Sequence, residues 1–279
     1  MGVLLRADRA RAVGGGRPAA GRGGAGREDA ACGAARPGRR SGRGAGLTVR
    51  EPLLRARGVA RRFGAQIALE PTDLDVCSEE TIALIGPNGA GKSTLLSILA
   101  GSLDPSAGKV ERVNGVRVGW VPQRPSLYDR LTARENLELF ARLEREQRPA
   151  AAAQELLSTF DLPADRPSAS LSVGNRQRLN VAIALLGEPR VLLLDEPTAS
   201  LDPGQRRRLW EIVTALRDDG GAVVFVTQNL EELDLHADRV AAMQQGRLVL
   251  AGVEEVFVSC CCCARTCACC CARRCCWAC

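Results

Sequence analysis

Thr81-Ile-Ala-Leu-Ile85-Gly86-Pro87-Asn88-Gly89-Ala90-Gly91-Lys92-Ser93-Thr94 is the stretch that decides the fold. Thr81–Ile85 is a short continuous apolar run, the pattern of a strand buried on both faces. Gly86 to Thr94 fits GxxxxGK[ST], and Ser93–Ala100 continues with helical periodicity. Strand, glycine-rich turn and helix in that order form an anion cradle. The glycines let the backbone curl so that its N–H groups converge on phosphate oxygens, and the helix adds its positive N-terminal end. In this arrangement Lys92 reaches the β- and γ-phosphates of ATP and Ser93 ligates Mg²⁺. Composition sharpens the reading. The chain has 36 Arg and two Lys, Lys92 and Lys109. One of the two lysines stands where a compact ammonium is needed and a guanidinium would not fit.

A second apolar run, Val191-Leu-Leu-Leu, ends in Asp195-Glu196. Ligands of α/β sheets bind outside the carboxyl ends of the strands. Asp195 suits Mg²⁺ coordination, directly or through water, and Glu196 suits orienting or deprotonating an attacking water. Two adjacent acids also describe an ordinary solvated turn; the phosphate loop upstream favours the chemical reading. Leu171-Ser172-Val173-Gly174-Asn175-Arg176-Gln177-Arg178 places Ser-x-Gly at the start of a helix expected over 175–187, where the Ser172 side chain and the Gly174 N–H can meet an anion.

Around these motifs the chain reads as strands at 53–59 and 73–77, paired antiparallel, a strand at 116–121, and a helical stretch 133–160 broken at Pro149. Further on come a helix at Gln205–Arg217, a strand at Ala222–Thr227, a short helix at Leu230–His236 and a hairpin at 239–250 around Gln245-Gly246. Strands alternating with helices imply an α/β class with a mostly parallel sheet core. An antiparallel β subdomain and an inserted α-helical subdomain at about 125–187 modify it.

The net charge of +6 belongs to the ends: residues 1–46 carry +7 and residues 260–279 carry +3, so the middle is net −4. An acidic body with 3% aromatics argues against a nucleic-acid surface. Residues 1–48, rich in Gly, Ala and Arg, are expected to be disordered, or to precede the true start of translation, for instance at Val49; a basic arm is the functional alternative. Eleven of 13 cysteines fall in 260–279. Their CxxC spacings are unavoidable at that density, so residues 259–279 are expected to be a disordered or frameshifted tail rather than a metal site. The cysteine-poor body, with only Cys32 and Cys77 elsewhere, fits a reduced compartment. No signal-peptide core and no run of about 18 apolar residues are found, so a cytoplasmic chain is expected.

From about residue 53 to 250 the sequence resembles the nucleotide-binding subunit of an ABC transporter, a P-loop NTPase of ABC type, with wording closest to the drug and antibiotic exporters. The domain is set at 49–258. The resemblance implies that Phe63 stacks on adenine and that Gln123, after Val121-Pro122, contacts Mg²⁺ and the membrane partner. It also implies that Ser200-Leu201-Asp202 crosses a dimer interface. Residues 171–178 stand for an LSGGQ-type signature, with Val173 in place of a glycine. Ser172 and Gly174 of one copy would close over ATP held by a second copy. The family's His after the strand at 222–227 is replaced by Gln228, which puts full hydrolysis in doubt. His236, on the next helix, is read as structural. The implied partners are a second copy of the subunit and a separate integral membrane permease, which would keep the chain at the inner face of the cell membrane. The permease would meet a groove on the helical block formed by Leu131–Leu137 and Leu139-Phe140. The expected function is an ATPase that powers transport, with export favoured by a short stretch between Lys92 and Gln123. Two alternatives stay open: a regulatory module with weak hydrolysis, and a soluble ABC ATPase acting on nucleic acid or the ribosome.

Overall fold

The computed structural model describes residues 50–253. The expectations for 1–48, for the tail from 259, for its cysteines and for Cys32 lie outside that range. Cys77 is disulfide-bonded.

Two long strands open the domain, β1 (Pro52–Phe63) and β2 (Gln66–Cys77), joined in an antiparallel hairpin. Both are longer than their apolar alternation suggests. Register shifts between Ala56 and Val59, Val59 and Arg61, and Arg61 and Arg62 scramble the period-two pattern beyond residue 59. The third strand of this sheet, β4 (Ala107–Arg112), pairs with β1. It is an edge strand in which only Val110 is half-buried and the rest are exposed, and its lack of apolar alternation hides it from sequence reading.

The main sheet has the order β5-β6-β7-β3-β8-β9. Its members are β3 (Glu80–Ile85), β5 (Val118–Val121), β6 (Val191–Asp195), β7 (Ala222–Val226), β8 (Arg239–Gln244) and β9 (Arg247–Val253). All neighbours are parallel except the terminal hairpin β8–β9. Every residue of β6 and β7 is buried. Successive side chains serve opposite faces: Leu192, Leu194, Val223 and Phe225 join one core cluster, and Val191, Leu193, Val224 and Val226 join the other. The second cluster packs against α1 (Lys92–Ala100) and the β1–β2 hairpin.

Between β5 and β6 lies the helical subdomain: α2 (Ala133–Leu143), α3 (Pro149–Thr159), a 3-10 turn at Ser168–Ser170 and α4 (Val173–Ala184). The break in 133–160 precedes Pro149. Helix α2 ends at Leu143, Arg145 turns left-handed at φ 61°, and Pro149 begins α3, where its missing N–H costs nothing. Helix α4 begins two residues before the expected position because Ser172 caps it, its hydroxyl accepting from Asn175 N–H at 3.2 Å. Helix α5 (Pro203–Asp218) likewise starts at an Asp202 cap followed by proline, a signal present in the sequence. Helix α6 (Leu230–His236) matches its expected bounds. His236 stacks on Trp210 with centroids 3.9 Å apart, and Trp210 meets Phe225 edge-on at 4.9 Å. Burial pushes the His236 imidazole pKa down, against the opposing pull of Glu232 and with a smaller push from Arg217. The histidine is packed as a structural ring.

Candidate nucleotide site

The loop from Gly86 to Gly91 leaves β3 at its carboxyl end and runs into α1. Two of its glycines have no substitute. Gly86 sits at φ 146° and a Cβ there would lie 2.2 Å from Met243 O; Gly91 sits at φ 99° and its Cβ would lie 2.6 Å from Ala68 O. The backing comes from segments far away in sequence. Gly246 N–H, in the β8–β9 turn, donates to Ala90 O at 3.0 Å, and Glu70 N–H donates to Gly246 O at 2.8 Å. Ala68, Met243 and Gly246 therefore belong to the support of the loop. No local sequence pattern marks them.

Lys92 is buried at the first turn of α1, and its ammonium donates to Gly86 O at 2.7 Å and Pro87 O at 2.9 Å. It spans the mouth of the loop from inside. Burial lowers its pKa, and the charges of Glu196 and Asp195 raise it back. The same two carboxylates thus face the loop across the sheet's carboxyl end. Asp195, the last residue of β6, is 3% exposed. Burial raises its pKa, while a hydrogen bond with the Ser93 side chain and the charge of Lys92 lower it.

Glu196 follows with a left-handed backbone at φ 49°. Such a conformation costs a non-glycine residue roughly 1–3 kcal/mol and persists where the surroundings enforce it. Here the Glu196 N–H is held by Val226 O of β7 at 3.1 Å. The turn brings the carboxylate between two amides: Gln123 Nε2 donates to Oε2 at 3.2 Å and Gln228 Nε2 to Oε1 at 2.6 Å. Gln228 also lies 3.5 Å from Asn88 Oδ1 of the loop. Residues of four separate segments, after β3, β5, β6 and β7, meet at one edge.

The structure brings together Gly86, Pro87, Asn88, Gly89, Ala90, Gly91, Lys92, Ser93, Thr94, Gln123, Asp195, Glu196 and Gln228. It leaves three expected residues apart. Phe63 stands half-exposed at the end of β1, with the Arg61 guanidinium 4.8 Å over its ring. Ser172 and Gly174 lie on the helical subdomain, where a Cβ on Gly174 would meet Gln205 Oε1 at 3.0 Å and Ser200 O at 3.2 Å. Val173 beside them is 68% exposed. The groove reading needs correction at three positions: Ala133, Asn136 and Leu137 are fully buried in the subdomain, and the exposed apolar side chains near them are Tyr128 and Leu143.

A family profile described as ABC transporter matches residues 69–199. The chain is 40% identical over 214 residues to the daunorubicin resistance ATP-binding protein DrrA3 of Streptomyces coeruleorubidus, covering 71% of this chain and 67% of that protein. The chain belongs to the ABC transporter family. Among other relatives of this ABC ATPase, the sulfate/thiosulfate import ATP-binding protein CysA of Bordetella parapertussis is 41% identical over 217 residues, covering 71% of this chain and 61% of that protein. The fold matches the dimeric post-hydrolysis state of the ATP-binding cassette MJ0796 bound to ADP and Pi, with a TM-score of 0.65 at 25% identity over 72% of this chain and 98% of that one. The protein is thus an ABC-type ATP-binding subunit and an ATPase, with a P-loop α/β fold.

Proposed function

We propose that the chain binds ATP with Mg²⁺ at the Gly86–Thr94 loop, hydrolyses it as a dimer, and powers a transporter whose membrane permease is a separate chain. The observation that carries this reading is the pairing of the Asp195 carboxylate oxygen, buried at the end of β6, with the Ser93 hydroxyl oxygen of the loop that Lys92 ties together. Those two oxygens are hard donors of the type magnesium takes, and Asp195 is a carboxylate buried at the mouth of a phosphate cradle. Among the described residues no group of three or more His, Cys, Asp or Glu side chains converges to hold a metal alone. The ion would therefore share its shell with phosphate oxygens and water. When bound it neutralises charge developing on the transferred phosphoryl group. Lys92 exchanges its carbonyl partners for phosphate oxygens. Glu196 orients the water that attacks the γ-phosphorus and accepts its proton, Gln123 helps place that water and the ion, and ADP leaves. Phe63 stacks on the adenine, and Ser172 and Gly174 meet the γ-phosphate of a second copy.

Among the described residues no helix is long and apolar enough to cross a membrane. The exposed Tyr128 and Leu143 on the helical subdomain, with the half-buried Leu139 and Phe140 beside them, supply the apolar docking face for the permease. In this reading the permease holds the chain on the cytoplasmic side of the cell membrane. The short span from Lys92 to Gln123 favours export. Co-purification from its native membranes with an integral membrane protein, followed by reconstitution of the pair in vesicles, tests the coupling: ATP turnover rises with the partner present. Failure to bind any such protein, with turnover unaffected by it, overturns the transport reading.

A second reading has its own observation. Gln228 is neutral and donates to Glu196, where a histidine could also carry a proton. A weakly hydrolysing, ATP-gated regulatory module would follow. Gln228→His separates the two readings. If the γ-phosphate interaction weakened in this chain is of the order of a hydrogen bond to a charged group, turnover rises roughly 10–100-fold in the variant, measured as phosphate release at saturating ATP. Unchanged turnover would show that Gln228 is no defect.

A further inference from the structure

The segment that follows Gln123 and the segment that precedes Ser172 run side by side. Ser168 N–H donates to Leu131 O at 2.8 Å, Ala169 N–H to Asp129 O at 3.1 Å, Ala133 N–H to Arg166 O at 3.2 Å and Arg134 N–H to Ala164 O at 3.0 Å. Thr132 and Pro167 form an antiparallel bridge between them. Asn136, on the first turn of α2, sits under this ribbon and is fully buried. The two N–H groups of its Nδ2 are shared among four oxygens within reach, Tyr128 O at 3.1 Å, Leu131 O at 3.2 Å, Thr132 O at 2.9 Å and Ser168 Oγ at 2.9 Å. Its Oδ1 accepts from Tyr128 N–H at 2.9 Å. Ser168 is itself fully buried.

From the other side, Arg176 of the first turn of α4 donates to Ser168 O at 2.8 Å and pairs with Asp129 Oδ1 at 2.8 Å. The start of α4 is thus tied twice to residues 128–132, once through Ser168 and once through Asp129. A leucine at position 136 would fill the space but strip the Tyr128 N–H and the facing oxygens of their partner. A buried amide is tolerated because every one of its groups is satisfied, and a fully satisfied network fixes one arrangement where an apolar contact would slide.

We propose that Asn136 and Ser168 are positioning residues for the α4 N-terminus: they hold Ser172 and Gly174 in the orientation that meets nucleotide on a second copy. Neither side chain touches the nucleotide. The inference rests on the dimer reading above.

The test uses the full chain carrying Glu196→Gln, which retains ATP. Ser168→Ala removes the Asn136–Ser168 link and leaves Asn136 its three backbone acceptors. Asp129→Asn weakens the same tie from the exposed side, where folding is not at risk. Three quantities are read: Mg-ATP affinity of the monomer, melting temperature, and ATP-driven dimerisation by sedimentation. Losing one hydrogen bond of about 1 kcal/mol raises the dimer dissociation constant about fivefold in Ser168→Ala. Asp129→Asn shifts it in the same direction by less, and Mg-ATP affinity stays put in both. Undiminished dimerisation in both variants overturns the inference alone, as does a parallel loss of ATP affinity, which would mark general unfolding. A Glu196→Gln parent that stays monomeric in ATP overturns the dimer reading together with it.

Discussion

Replacing Glu196 by Gln is expected to cut ATP turnover by about 10²–10⁴-fold while leaving ATP bound, the range supplied by a positioned general base. The substitution keeps shape and hydrogen-bonding reach and removes only the basic oxygen. The surroundings fix Glu196 in one orientation. Its left-handed backbone is pinned by Val226 O, and its two oxygens are each met by an amide, from Gln123 and from Gln228. Each oxygen accepts from one amide and keeps a second lone pair for the proton of an attacking water. Single-turnover phosphate release, compared with equilibrium ATP binding on the same preparation, checks the split. Turnover within about threefold of the parent would remove Glu196 from the role of base.

Lys92→Ala is expected to act earlier, on binding. An ammonium that donates to two phosphates contributes two charge-assisted hydrogen bonds of about 1.5–3 kcal/mol each, so affinity for ATP falls roughly 10²–10⁴-fold. The same lysine ties Gly86 O and Pro87 O together within the loop. The variant's melting temperature has to be measured alongside, because those bonds also hold the cradle open. Weaker binding with an intact melt locates the effect at the phosphates. Unchanged affinity would contradict the assignment of the loop.

The parts of the site that were legible in the sequence are those whose chemistry is local. Gly86 to Thr94 is contiguous, and its flanking strand and helix follow from apolar periodicity. Asp195 and Glu196 announce themselves by ending a buried run. Gln123 and Gln228 are different. Nothing in their neighbours marks them, and only the family resemblance pointed to them, yet they meet on one carboxylate. Ala68, Met243 and Gly246 were beyond reach because they act by backbone approach to glycines across long sequence separations. β4 was missed because an edge strand of a small sheet needs little apolar alternation, and the β1–β2 hairpin was underestimated because bulges erase its period. Asn136 misled in the opposite sense. A polar residue at a helical position reads as surface, whereas here the amide is spent inside the subdomain satisfying Tyr128, Leu131, Thr132 and Ser168.

In the proposed function a phosphate cradle after β3 and two carboxylates after β6 share one magnesium-bearing nucleotide. Calorimetric titration of the intact chain with ATP, once with Mg²⁺ and once with the metal chelated, tests it most directly. The account predicts one nucleotide per chain and tighter binding when magnesium is present, because Asp195 and Ser93 then engage the ion. Binding that is indifferent to magnesium, or absent in both titrations, would contradict it.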